Sequence, residues 1–366
     1  MRAPICSIFF AAICLVAIPA SAQVDLNAAV FWKAVQARCD ATAVKTPGQL
    51  GLRIARTAIR EFTLFGGHQI DSNGRLFHFG LTEAENEKED GSGQSARLGD
   101  LGWWRVMKYW RSLYDNEVGD KLEVRGYRDA SKATNEALPV SLLRSNVGEL
   151  MHAAEAVADP NLREILLQAI LRSAVTDTPW SAAFVSYVIK QSGVAPNAFQ
   201  FANAHRVFIY DAFATSAAEE ANVASERLYR ACPLTTRPRP GDLICQQREP
   251  ALADASDEAV RERIRAELVS HTDTRSVRHT HCEVVAYIDR PARKVYTIGG
   301  NVNQSVTARK LNLRNDLKFS AVQKGNCGGA GHWTLPLPSA NTPGASSPVD
   351  TCSLNDKKWF VLLQAR

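Results

Sequence analysis

The sequence predicts an α+β fold, and three observations carry that expectation. Apolar residues recur at helical spacing through most of the N-terminal part of the chain. From His281 onward the pattern changes to short strands. Between the two regimes, Arg239-Pro-Gly-Asp-Leu-Ile-Cys245 reads as a turn that feeds a strand. Helices followed by an antiparallel sheet are the order of an α+β domain. The 366 residues allow one large domain or two small ones, with ample length to bury a core.

Composition bounds the function classes. Lys and Arg total 43 against 38 Asp and Glu, so the net charge of +5 is mild and spread out. Nucleic-acid binding would show a basic stripe or a known motif, and neither is read here. The first residues read as a secretory signal peptide. Arg2 supplies the positive region, residues 7–19 the apolar run, and Ala20-Ser21-Ala22 a cleavage site before Gln23. The run is too short to cross a bilayer comfortably, so no stable membrane insertion is expected. The expected address is the periplasm or the exterior. Removing residues 1–22 leaves six cysteines: Cys39, Cys232, Cys245, Cys282, Cys327 and Cys352. An even number suits disulfides, with fifteen possible pairings. No CxxC pair is present, no structural zinc is expected, and the reading includes no cofactor.

In chain order, residues 25–39 and 49–65 read as helices, the second ended by Gly66-Gly67. Residues 68–80 hold an Asp-Ser-Asn-Gly turn and read as a hairpin. Residues 82–93 are acidic, polar and Gly/Ser-containing, and read as an exposed loop. The aromatic stripe of residues 101–114 reads as a core helix, with a groove wall for sugar or peptide as the alternative. Residues 140–158 and 161–175 read as helices split by Asp159-Pro160. Residues 197–210 are mixed and 216–230 helical. Residues 254–270 form a charged helix at the surface. Residues 281–288, 294–298 and 302–311 are strands, 315–348 loops, and 359–363 a last strand.

One stretch organises the rest: residues 178–190, Thr-Pro-Trp-Ser-Ala-Ala-Phe-Val-Ser-Tyr-Val-Ile-Lys. Asp177 or Thr178 is the expected cap and Pro179 suits a first helical position. Phe184, Val185, Val188 and Ile189 give one wide apolar face. Small residues Ser181, Ala182 and Ala183 stand where backbone N–H groups and the positive end of the helix dipole concentrate. That placement suits a nucleophile beside an oxyanion, and equally a helix start that lets another element pack closely.

Trp180-Ser-Ala-Ala-Phe184, Pro240-Gly-Asp-Leu243, His281-Cys-Glu-Val-Val285 and Ile298-Gly-Gly-Asn301 together resemble the CHAP and NlpC-type cell-wall amidases and peptidases, which are papain-like. With His205-Arg-Val-Phe-Ile-Tyr210 and Gly102-Trp-Trp-Arg-Val-Met-Lys-Tyr-Trp110, the pattern over residues 54–365 resembles more closely still the bacterial domain-of-unknown-function family 2272. The resemblance implies a papain-like core with an antiparallel sheet over residues 176–366, carrying a helical insertion near 250–272. Residues 23–175 would be a helical N-terminal region packed on it.

The resemblance also implies the roles. Ser181 takes the place of the hydrolases' nucleophilic cysteine, His281 is the base, and Asn301 orients the imidazole. The backbone N–H groups of Ser181 and Ala182 hold the oxyanion. Trp180, Ala182, His205, Asp242 and Glu283 complete the candidate pocket, although Asp242 also reads as a turn residue and His205 as a packing one. Cys245 and Cys282 are expected within bonding reach, because their strands should be adjacent. The serine matters: a thiol ionises near neutral pH with help, whereas a hydroxyl must lose its proton to a base during attack.

The implied function is hydrolysis of amide bonds in cell-wall peptides. The alternative is an inactive module that keeps the groove and binds cell-wall peptide or glycan. A third reading is a metal-dependent hydrolase, since His279, His281 and Glu283 alternate and share one strand face.

Overall fold

A computed structural model of the chain describes residues 28–85, 98–127, 142–270, 272, 274–320, 323 and 354–366. The signal-peptide reading, Cys327 and Cys352 lie outside these residues. Helices α1 (Ala28–Ala43) and α2 (Gln49–Leu64) open the chain, followed by β1 (His68–Ile70), β2 (Leu76–His78) and α3 (Gly102–Tyr114). A small hairpin of β3 (Glu123–Tyr127) and β4 (Leu142–Asn146) leads to α4 (Val147–Glu155) and α5 (Pro160–Asp177). Then come α6 (Ser181–Gln191), α7 (His205–Glu220), β5 (Tyr229–Cys232), β6 (Leu243–Gln247), α8 (Asp257–Val269), β7 (Thr280–Asp289), β8 (Lys294–Val302), β9 (Ser305–Asn312) and β10 (Lys358–Ala365).

The fold is α+β. The main sheet runs in the order β2-β1-β9-β8-β7-β6-β10-β5. It is mixed rather than wholly antiparallel, because β1 lies parallel to β9. Two short strands of the N-terminal part, β1 and β2, thus join the sheet supplied by residues 176–366. The hairpin read at residues 68–80 forms, and it extends the main sheet at one edge. Hydrophobic alternation predicts a strand but not which edge receives it.

Several boundaries moved for local reasons. Residues 142–146 are strand, and Asn146 caps α4 by accepting a hydrogen bond from the Glu149 N–H. The helix expected over 216–230 starts instead at His205 and stops at Glu220, and the chain then turns into β5. Its start is hidden in the sequence because Ala204 stands at the cap position and offers no side-chain acceptor. The α8 helix is not purely a surface element: Val260 and Ile264 enter the main core, and buried Arg261 donates to the Phe360 carbonyl.

The sheet separates two apolar layers. Alternation sends Cys245, Cys282, Val284 and Ile298 into the layer with Trp180, Ala182 and Phe184. Ile244, Val285 and Val295 face the layer with Phe31 and Val35 of α1. Four α6 side chains, Phe184, Val185, Val188 and Ile189, are fully buried. Each contributes about 1.5–3 kcal/mol, so packing holds this helix start in place although no side chain caps it. Two disulfides are present. Cys39–Cys232 ties α1 to β5 across 193 residues of sequence. Cys245–Cys282 joins β6 to β7, as the resemblance implied.

Candidate functional site

Ser181 is the first residue of α6 and is buried. Neither expected cap serves it. Asp177 accepts from the Arg125 N–H and Thr178 from the Glu123 N–H, so both hold β3 instead. Among the described residues no partner accepts from the N–H groups of Ser181, Ala182 and Ala183, whereas the Phe184 N–H donates to the Trp180 carbonyl. Backbone N–H groups at a helix start are among the donors that can hold an oxyanion.

The Ser181 hydroxyl lies 2.8 Å from His205 Nε2, at the first residue of α7. Among the described hydrogen bonds the imidazole that meets the serine is that of His205, and none joins it to His281. The reason is the register of β7. Cys245 and Cys282 stand directly opposite each other with Cα atoms 4.1 Å apart, the narrow kind of antiparallel pair. In such a pair both N–H groups point away from the partner strand. On its far side β7 pairs with β8 only from Val284 onward. The Cys282 N–H therefore has no strand partner, and it donates to His205 Nδ1 at 3.3 Å.

That contact fixes the imidazole. Burial holds the His205 pKa well below its ordinary value, helped by His281 and Arg248, so the ring is neutral. With Nδ1 accepting, the single ring proton is on Nε2, and Nε2–H donates to the Ser181 oxygen. In this state the serine accepts a hydrogen bond from the ring and does not yet face a base.

His281 and Glu283 alternate to the other side of β7. The two neighbouring glycines of β8 mark both sides: a Cβ on Gly299 would strike Glu283 and His281 Nε2, and one on Gly300 would strike Phe184 and Trp180. The Gly-Gly pair is thus needed for space on both faces. The His205 and His281 rings meet edge to face at 5.0 Å between centroids. His281 Nε2 stands 3.5 Å from Glu283 Oε1, longer than a good hydrogen bond and an ion pair only when the ring is protonated. Glu283 also accepts from Arg309 Nε and from the Thr297 hydroxyl, both at 2.6 Å. Burial pushes the Glu283 carboxyl up, but the charge of Arg309, with the nearby His281 and the Thr297 hydrogen bond, holds it at about 2. Burial lowers the His281 pKa, with Glu283 opposing.

The remaining candidates sort plainly. Asn301 has φ of 52° in the β8 irregularity and makes no hydrogen bond to His281 among the described residues. Asparagine tolerates that left-handed backbone, so its turn role suffices. In position, the group beside His281 is Glu283. Asp242 is wholly buried and accepts from the N–H groups of Arg239 and Ala365, which locks the Pro-Gly-Asp turn to the last strand. Trp180 and Ala182 are buried around Ser181. His279 is turned to Glu249 at the surface, 3.1 Å away, so the three-residue metal set does not assemble. Among the described residues no group of three His, Cys, Asp or Glu side chains is placed to hold a metal.

One residue was missed. Glu83 lies in the stretch read as an exposed loop, yet it is buried, with its N–H donating to the Gln304 carbonyl. Burial pushes its carboxyl up to about 7, against the pull of the neighbouring Trp180 indole N–H. Nothing in its polar surroundings in sequence signals this.

A family model described as "Uncharacterized protein conserved in bacteria (DUF2272)" matches residues 99–365. The chain belongs to this family. No curated protein and no solved structure matches the chain. DUF2272 membership covers α3 through β10, and with them Ser181, His205, His281 and Glu283. It leaves α1, α2 and the β1–β2 hairpin outside the matched region, although β1 and β2 complete the sheet.

Proposed function

We propose that this DUF2272 protein is an exported, papain-like hydrolase acting on amide bonds of cell-wall peptides, with Ser181 as nucleophile and His205 as its base. The observation that carries the proposal is the 2.8 Å contact between Ser181 Oγ and His205 Nε2 at the uncapped, buried start of α6. A hydroxyl nucleophile needs a base within hydrogen-bond reach and donors for the developing oxyanion; the Ser181–His205 contact supports the first and the α6 helix start the second. The base role requires the ring proton to move to Nδ1, which turns two donors toward each other and leaves the Cys282 N–H unsatisfied at a cost of about 1–3 kcal/mol. Beyond His281, the Glu283–Arg309 pair supplies the charged setting of the site. Export rests on the signal-peptide reading, and two disulfides suit an oxidising compartment. The cell-wall substrate rests on the resemblance to the CHAP and NlpC-type enzymes.

The tautomer held by Cys282 favours a second reading, a binding module without turnover. Incubation of the exported protein with purified peptidoglycan, followed by mass analysis, separates the two. A hydrolase releases fragments, Ser181→Ala stops their release, and Ser181→Cys retains or raises it through the more readily ionised thiol. A binder sediments with peptidoglycan and releases nothing in any of the three forms.

A further inference from the structure

A second candidate site lies at the other end of β7. A cavity of about 490 Å³ opens between the α1–α2 connection, the start of α2, the turn before β6 and the β7–β8 hairpin. From His281 to Tyr287 the strand runs about 20 Å, so the cavity is separate from Ser181. Its size is within the usual range for small-molecule pockets. Its floor is fixed by backbone contact: a Cβ on Gly51 would strike the Pro240 carbonyl, and Gly241, at φ of 92°, lies against Gly51.

Five cations line it: Lys45, Arg56, Arg237, Arg239 and Arg290. None of the described lining residues is acidic. The carboxylates nearby are occupied elsewhere. Asp316 pairs with Arg314, and Asp289 accepts from the Ala292 N–H in the hairpin turn. Asp242 accepts from backbone N–H groups and offsets part of the Arg239 charge, while burial pushes its carboxyl up to about 7. The Arg237 and Arg239 guanidiniums donate to backbone carbonyls, of Asp316 for the first and of Thr42 and Ala365 for the second. Arg239 is buried, and its Nε has no partner. Lys45, Arg56 and Arg290 form no ion pair with the described residues. Beside this charge the walls are apolar, with Val44 at 72% and Tyr287 at 36% exposure.

Like charges converging on one hollow repel, and an anion placed among them relieves the repulsion. A bare anion would leave the apolar walls wet. We propose that this cavity binds a small anionic amphiphile, with a carboxylate or phosphate head among the arginines and a short apolar body against Val44, Leu52 and Tyr287. The inference is independent of the reaction assigned to Ser181.

The test is calorimetric titration of the full exported chain with decanoate, decyl phosphate, decanol and inorganic phosphate, each as a monomer in solution. Saturable binding of decanoate or decyl phosphate is expected, and the tighter of the two identifies the head group. Decanol and inorganic phosphate should each bind at least about tenfold more weakly, since each lacks one half of the recognition. Arg56→Glu with Arg290→Glu should weaken the anionic amphiphiles by at least about tenfold. Both positions are exposed, so the fold should tolerate the change. The proposal is overturned if neither amphiphile binds, if decanol or inorganic phosphate binds as tightly, or if charge reversal has no effect.

Discussion

The two sides of β7 at its start contain the same kinds of residue in opposite electrostatic states. On the α6 side, Ser181 and His205 are buried and neutral, joined by one hydrogen bond. On the other side, Glu283 is equally buried yet fully ionised, because Arg309 and Thr297 bond it directly. Burial alone drives an ionisable group to its neutral form; only a counter-charge with satisfied hydrogen bonds reverses that. Glu83 sharpens the contrast. It is a buried carboxyl beside an indole N–H, without a guanidinium, and its pKa rises to about 7.

The largest expected effect comes from removing the charge that distinguishes the two sides. Arg309→Met leaves Glu283 buried and uncompensated, and should cost about 3–5 kcal/mol in urea unfolding. Adding Glu283→Gln to that variant should recover much of the loss. If Arg309→Met alone is neutral, the ion pair does not hold this side of the strand.

Next comes the pH dependence. Glu283 moves from its ordinary 4.5 to about 2. A depressed carboxyl stabilises the fold above its unfolded value, and that contribution disappears as pH falls from about 4.5 to about 2. The shift corresponds to roughly 3 kcal/mol. Asp242 and Glu83, both raised to about 7, act with the opposite sign: their contribution is complete at low pH and disappears as pH rises through 7. Unfolding profiles from pH 2 to 8 should therefore lose their acid limb in Glu283→Gln and flatten between about pH 4 and 7 in Asp242→Asn.

On the neutral side the effect is smaller. His205→Ala frees the Ser181 hydroxyl and the Cys282 N–H together and should cost about 1–3 kcal/mol. Under the proposed function it also ends fragment release, whereas His281→Gln should lower release without abolishing it. Equal loss in the two variants would return the base role to His281. Smallest of all, Asn301→Gly should change stability by a few tenths of a kcal/mol and leave turnover intact, since glycine suits the same backbone. A large loss of turnover would restore Asn301 as the orienter.

Much of this was legible in the chain itself. Helical periodicity located α2, α3, α5 and α6, and alternation located β7, β8 and β9, because each pattern reports a local burial period. The resemblance placed Cys245 against Cys282, and the two are bonded. Ser181 at a buried helix start was also readable, from small residues ahead of an apolar face. The partner of that serine was not. It depends on a narrow strand pair that turns the Cys282 N–H outward, on a β7–β8 pairing that begins only at Val284, and on an uncapped helix that begins at His205 to receive this N–H. Parallel pairing of β1 with β9 and the burial of Glu83 were hidden for the same reason. Sequence period fixes which face of an element is apolar, but which polar groups meet across elements is decided only when backbone hydrogen-bond demands are balanced in three dimensions.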